Sequence, residues 1–329
     1  MVNMSGQKAR HEIKILSIGG AVQDVFLIGK IFAPKHEHHE TVEEFVMGSK
    51  NQLDGVIFST GGGATNASVT FARQGFHSMY MGKIGHDIAG KAILDDLHSN
   101  GVDTSLVGYS KDRGSGYSAV LLAPNGERTI MSYRGASAHY DLQESDFHNL
   151  EADWFYVTSL DGNFEVLDEV FAFARKKGIK IAMNPGAKEL ADKTNLRRLI
   201  PQMTLLSMNK DEMQQIYEGK TMEELVRAAK KDVPYVIVTD GPHGAVAADM
   251  HHIISAGMYE DVPVVDRTGA GDAFSSGFTA MIAANESLEK AVTLASANST
   301  SVVGSIGAKV GILYDSAKLH KMEVSIKDF

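Results

Sequence analysis

Between Trp154 and Thr239 short apolar runs alternate with longer amphipathic ones, and this alternation constrains the fold more than any other feature of the chain. WFYVTS at 154–159 reads as a buried strand, and the stretch from Phe164 to Lys177 as a helix. IKIAMN, LLSMN and YVIVTDG follow as strands, with the helical KDEMQQIY after the second of them. Strands joined by helical crossovers run parallel, so the expected fold is α/β, with a doubly covered sheet. IKILSI at 13–18 has the same buried-strand character. GGGATNASVTFARQG at 61–75 reads as a helix stopped by Gly75, MYMGKIG as a strand, and DIAGKAILDDLHSNG as a helix stopped by Gly101. Two segments break the rhythm, roughly 24–60 and 104–134. The second contains SAVLLAPNGERTIMSY, a hairpin pattern with Asn125-Gly126 at its turn. They predict a small β-sheet layer, a lid over the end of the main sheet where ligands bind, within a single domain spanning 1–329.

Composition narrows the function. The net charge is −9 and no basic block occurs, which argues against nucleic acid as a partner. The chain has no cysteine, so disulfides and thiolate metal sites are excluded. No apolar run reaches bilayer length, and the N-terminal MVNMSGQKARHEIKILSIGG lacks the apolar core of a signal peptide. A cytoplasmic protein with no membrane partner is the expectation.

Several motifs fail on inspection. Gly85 to Lys91 spells G-x-x-x-x-G-K, but Ala92 stands where a hydroxyl must hold magnesium, and Asp87 reads as a helix cap. Gly219-Lys220-Thr221 lacks the upstream glycine and reads as a turn between helices. HEHH at 36–39 reads as an exposed polar loop, with no partner cluster to complete a zinc site. DRTGAGDAF at 266–274 is more restrictive. Gly269, Ala270 and Gly271 precede a carboxylate, Asp272, at the start of a small-residue apolar helix. A helix N-terminus attracts anions, and a carboxylate beside it can accept a proton.

VDRTGAGDAF resembles the second signature of the PfkB sugar kinases, the ribokinase-like family. Gly61-Gly62-Gly63-Ala64-Thr65-Asn66-Ala67-Ser68, followed by Gly75 and Gly85, resembles the first. The order of elements matches from Ile13 to about Gly311. The resemblance implies a central, mostly parallel sheet with helices on both faces and a β-sheet lid. It also implies transfer of the γ-phosphoryl group of ATP to a hydroxyl of a small sugar or sugar derivative. Asp272 falls on the family's catalytic base, with Gly269, Ala270 and Gly271 as its catalytic partners and the amides of Ala270, Gly271 and Asp272 as an anion hole. Asp24 resembles the sugar-hydroxyl ligand, and Gly61, Gly62 and Asn66 the substrate-contacting hinge. Asn209 and Glu212 resemble an N-x-x-E motif that organises Mg2+ and phosphate, with Glu212 acting through water. Thr239, Gly241 and Gly244 resemble the nucleotide-binding turn, and Asn184-Pro185 a strand end near the phosphates. Asp266, Thr268, Ser305 and Gly307 lie where many members hold a monovalent cation such as K+. The helix from Ala291 to Gly304 is expected to contribute to the adenine pocket. Val22 replaces the asparagine that ribokinases carry, which counts against ribose.

Two alternatives stay open. The same family includes nucleoside kinases, and Phe26, Phe45 and Phe58 would then stack a base rather than pack the lid. A catalytically silent binding or regulatory relative is the other. Exposed lid edges also suggest a homodimer.

Overall fold

The computed structural model describes residues 8–37, 40–124, 128–139 and 150–329. The Asn125-Gly126 turn and positions 38 and 39 of the histidine-rich loop lie outside the described residues. In chain order the strands are β1 (Lys14–Ile18), β2 (Val22–Ile28), β3 (Lys35–Glu37), β4 (Glu40–Val42), β5 (Gly55–Gly61), β6 (His77–Met81), β7 (Lys83–Gly85), β8 (Gly108–Ser110), β9 (Gly116–Leu122), β10 (Arg128–Tyr133), β11 (Trp154–Val157), β12 (Lys180–Met183), β13 (Leu205–Asn209), β14 (Tyr235–Thr239), β15 (Ala245–Ala248), β16 (His252–Ala256) and β17 (Val324–Asp328). The helices are α1 (Gly63–Arg73), α2 (Ile88–Ser99), α3 (Phe164–Lys177), α4 (Ala187–Ala191), α5 (Lys193–Leu199), α6 (Lys210–Ile216), α7 (Met222–Ala229), α8 (Ala270–Ala283) and α9 (Leu288–Val303).

Nine strands form the main sheet in the order β17-β16-β15-β14-β13-β12-β11-β1-β6. From β6 to β14 every pairing is parallel. Both faces are covered, so successive residues enter two different cores. Leu16, Ile18, Phe155, Val157, Ile181 and Met183 join the layer built by α3, α5, α6 and α7. Ile15, Trp154, Tyr156, Ala182, Leu205 and Ile237 join the opposite layer with α1, α8 and α9. This explains why the strands read as continuous apolar runs rather than alternating ones.

Each crossover helix has local reasons to start and stop. Asn163 caps α3 by accepting from the Val166 amide at 3.2 Å, and Gly178 ends it in the left-handed region at φ 71°. Asp87 caps α2 through the Gly90 amide at 2.7 Å, and its other oxygen accepts from the Ser115 amide. The G-x-x-x-x-G-K stretch is thus a helix entry, and Thr221 likewise caps α7. Helix α8 is buried continuously from Ala273 to Ile282. It packs on α9 at Gly277, where an added Cβ would stand 3.3 Å from the Ala295 Cα.

Two features differ from the sequence-based expectation. MYMGKIG does not form one strand: β6 ends at Met81, and β7 leaves the sheet to pair with β8. The alternation of strand and helix also ends at β14. Strands β15, β16 and β17 continue the sheet antiparallel. The links from β14 to β15 and from β15 to β16 span only 240–244 and 249–251, too short for a crossover.

A separate four-stranded sheet has the order β10-β9-β2-β5. Register puts Asp24, Ser59 and Ser118 opposite one another on one face of it. The neighbouring row of Val25, Phe58, Ala119 and Met131 lies on the other face. No helix among the described residues is long and apolar enough to cross a membrane.

Candidate active site

The chemistry-bearing residues collect at the C-terminal ends of the parallel strands, next to the N-termini of α1 and α8. Three consecutive glycines form the seam between the two sheets. Gly61 ends β5, and a Cβ there would stand 2.3 Å from Asp24 Oδ2. Gly62 has φ 100°, and a Cβ would stand 2.4 Å from the Gly20 carbonyl oxygen. At Gly63 a Cβ would stand 3.2 Å from Asp272 Oδ1. One short strand-to-helix turn therefore touches both candidate carboxylates.

Asp24 is almost fully buried on β2. Burial pushes its carboxyl up to about 6; the Ser118 hydroxyl and the Lys309 charge oppose that, while Asp266 adds to it. Asp272 lies in the first turn of α8 and is half-buried, with its carboxyl directed inward. Asn66 Nδ2 donates to Asp272 Oδ2 at 2.8 Å. Burial raises the Asp272 carboxyl above the ordinary carboxylate range, against the Asn66 bond and the charge of Lys309. Asn66 Oδ1 is buried and has no hydrogen-bond partner among the described residues. An acceptor in that state is costly unless a ligand donor reaches it.

The helix entry is shaped by Gly269, which has φ 80° and abuts Ala308, 2.4 Å from where a Cβ would sit. The Ala270 amide donates to the Arg267 carbonyl at 3.3 Å. The amides of Gly271 and Asp272 lie in the first turn, where the helix supplies no acceptor. Nothing lies within 4 Å of a Cβ built on exposed Gly271, so the space before this helix end is open. Thr239, Gly241, Gly244, Ala270, Gly271 and Ser296 line one cleft there. Ser299 and Thr300 of α9 also face it, within the helix expected to serve adenine. Gly244, at φ 85°, approaches the Ala256 carbonyl so closely that a Cβ would stand 2.0 Å from it.

Asn209 and Glu212 form a reciprocal capping box at the start of α6. The Glu212 amide donates to Asn209 Oδ1 at 2.9 Å, and the Asn209 amide donates to Glu212 Oε2 at 2.9 Å. The motif thus has a structural role of its own. Burial raises the Glu212 carboxyl, and the negative charges of Asp211 and Asp272 add to the effect. Asn184 Nδ2 donates to the Ser207 carbonyl at 2.8 Å, tying the ends of β12 and β13. Asp240 pairs with Lys210 at 3.2 Å across the neighbouring strand end.

Asp266 is buried and gathers part of the expected cation group. Its Oδ1 accepts from the Thr268 amide at 3.0 Å and the Thr268 hydroxyl at 2.7 Å, and its Oδ2 accepts from the Gly307 amide at 3.0 Å. Arg128, on β10, places Nε 3.7 Å from Oδ1. Ser305 instead donates its amide to the Val302 carbonyl, and the groups bonded to Asp266 are those of Thr268 and Gly307.

Of the three phenylalanines expected to stack or pack, Phe26 shares the face of Asp24 and is fully buried. Phe58 is 67% exposed on the opposite face. Phe45 packs edge-on against Phe32, with ring centroids 6.0 Å apart. Sequence reasoning did not find Arg128 or Lys309. The second is a lysine inside an apolar C-terminal segment, and that placement was the available signal.

The fold and this constellation define an α/β domain with a cleft at its strand ends and a second, smaller sheet beside it. Residues 23–313 match the pfkB family carbohydrate kinase, and the chain belongs to that family. It is 28% identical over 266 residues to a ribokinase of Bacillus subtilis, covering 78% of this chain and 86% of that one. It is 25% identical over 303 residues to a guanosine-inosine kinase of Exiguobacterium acetylicum, covering 89% and 95%. The structure of Arabidopsis thaliana ribokinase complexed with ribose and ATP superposes with a TM-score of 0.76 at 20% identity, over 92% of this chain and 96% of that one.

Proposed function

We propose that this protein transfers the γ-phosphoryl group of ATP to a hydroxyl of a small sugar or sugar derivative. The observation that carries the reading is the glycine seam, which brings Asp24 and Asp272 to one run of chain beside the open first turn of α8. Asp272 would take the proton of the attacking hydroxyl, and Asn66 would hold its carboxylate in place. The Gly271 and Asp272 amides are free to face charge on the transferring phosphoryl, with Ala270 already turned toward Arg267. Asp24 would accept hydroxyl hydrogen bonds from the acceptor, and Asn66 Oδ1 offers one more acceptor site. ATP fits the cleft lined by Thr239, Gly241 and Gly244, where glycines let phosphate approach the backbone. Magnesium is held largely by phosphate oxygens and water in such sites, which suits the single half-buried carboxylate of Glu212.

The nucleoside reading keeps support from the guanosine-inosine kinase relative. The outward placement of Phe58 removes one of its three stacking candidates. ADP formation across hexoses, pentoses, sugar acids and nucleosides separates the readings. Turnover on sugars is expected; turnover confined to nucleosides would move the assignment to the second. ATP binding without turnover on any acceptor would favour the silent relative.

The same geometry sets an expected variant effect. Gly61→Ala puts a methyl into Asp24 Oδ2 and displaces that carboxylate, so the acceptor kcat/KM should fall about 100-fold. The KM for ATP should stay within about twofold, because the nucleotide cleft is lined by other elements. Steady-state kinetics with each substrate varied checks this.

We also infer a homodimer through the outer face of the small sheet. Val56, Phe58, Met131 and Tyr133 are 46%, 67%, 55% and 53% exposed there. Apolar side chains clustered on one exposed sheet face mark a contact surface. Light scattering should give twice the 35.6 kDa chain mass, and Phe58→Asp should give the monomer.

A further inference from the structure

Lys309 is a buried lysine that the reaction as described does not use. Its side chain is 5% exposed. Nζ donates to Thr60 Oγ1 at 2.7 Å and to Asp96 Oδ2 at 3.0 Å, and the Thr60 hydroxyl bonds the same carboxylate. The backbone that presents it is fixed. Arg73 donates to the carbonyls of Lys309 and Ile312, both at 2.8 Å, and the Leu313 amide donates to Asn298 Oδ1 at 2.8 Å. A buried ion pair is often replaceable by apolar side chains at little cost in stability. A role other than holding the fold together is therefore worth seeking.

The position supplies one. Thr60 immediately precedes Gly61, the residue packed on Asp24. Two residues before Lys309, the Gly307 amide holds Asp266, and adjacent Ala308 packs against Gly269 at the entry to α8. We propose that Lys309 is a positioning residue that latches the hinge end of β5, and with it Asp24, to the loop after α9 that packs against the phosphate-facing entry of α8. The proposal rests on the phosphotransfer reading of the site. The latch is the Lys309 Nζ, set between Thr60 and Asp96, gripping the last side chain of the second sheet before its glycine seam.

The charged groups facing Lys309 are Asp96 from α2, Arg73 from α1, Asp24 from β2 and Asp272 from α8. Its charge opposes the effect of burial at both Asp24 and Asp272. Removing it should therefore make both carboxylates harder to ionise, which a purely structural residue would not do.

Lys309→Met keeps an unbranched side chain of similar length and removes the charge. The acid limb of acceptor kcat/KM should move upward by about half a pH unit or more. At pH 6 the acceptor kcat/KM should fall about tenfold, with the KM for ATP within about twofold. Hydrogen exchange of the amides at 56–62, measured without substrates, should accelerate about tenfold. Thr60→Val cuts the hinge bond but keeps the Lys309–Asp96 pair, so it should accelerate exchange without moving the limb. It also carries the test if Lys309→Met does not fold. An unmoved acid limb together with unchanged exchange in Lys309→Met would overturn the proposal, as would unchanged exchange in Thr60→Val. If the wild type turns over no acceptor, the phosphotransfer reading has failed, and the exchange comparison still decides the latch.

Discussion

Asp272→Asn should lower kcat by about 100- to 10,000-fold while leaving the KM of both substrates within a few-fold. The substitution is nearly isosteric, so the Gly63 contact and the helix entry keep their shape. What disappears is the proposed proton acceptor. The attacking hydroxyl must lose its proton as the new P–O bond forms, and no other carboxylate is bonded to Asn66 at this point. Asparagine also removes a charge that burial makes unfavourable, so the variant should be at least as stable as the wild type. Loss of kcat with a retained or raised Tm distinguishes a chemical role from a folding defect.

Asp24→Asn should separate binding from stability with opposite signs. The acceptor KM should rise about 100-fold, because two charge-assisted hydrogen bonds to hydroxyls become neutral ones. Stability should move the other way, and the sign follows from the raised carboxyl. Below about pH 4 Asp24 is neutral whether the chain is folded or unfolded. Between about pH 4 and 6 the folded chain keeps a proton that the unfolded chain releases, so stability falls as pH rises. Above about 6 the group is ionised in both states and the full cost of burying the charge remains. A shift from 3.8 to about 6 corresponds to about 3 kcal/mol at neutral pH. Denaturant unfolding should show Asp24→Asn more stable by about 1–3 kcal/mol at pH 8 and close to the wild type at pH 3.5. Equal stability at both pH values would mean that Asp24 is not strained by burial.

The two raised carboxylates share one kinetic consequence. Both must be ionised to act, so acceptor kcat/KM should fall on the acid side with apparent values that belong to the pair.

The parallel half of the fold was legible because each strand between β11 and β14 is an apolar run and is followed by polar or glycine-rich chain. The antiparallel strands β15 to β17 were not. AVAA lacks large apolar side chains, VSIKD is largely exposed, and the pairing of β17 with β16 joins residues far apart in sequence. The GAGD carboxylate was legible as an acid at a helix start, because small residues precede it and an apolar run follows. Its contact with Gly63 and Asn66 was not, because 206 residues separate Asn66 from Asp272. N-x-x-E reads the same whether it caps a helix or serves a ligand, and here it forms a capping box. Lys309 and Arg128 stayed hidden for a different reason. Their partners, Asp96 and Asp266, come from other segments, and the one local signal, a lysine set in the apolar run at 306–314, does not say what it pairs with.

The central claim is that one cleft moves a phosphoryl group onto a hydroxyl with Asp272 as the base. Phosphorus NMR of ATP, magnesium and the acceptor panel, run with wild type and Asp272→Asn in parallel, tests it most directly. The expected result is a new phosphomonoester resonance on a sugar, equimolar with ADP, in the wild type and its loss in the variant. An equal phosphomonoester signal from Asp272→Asn, or none from the wild type with any acceptor while ATP binds, would contradict the account.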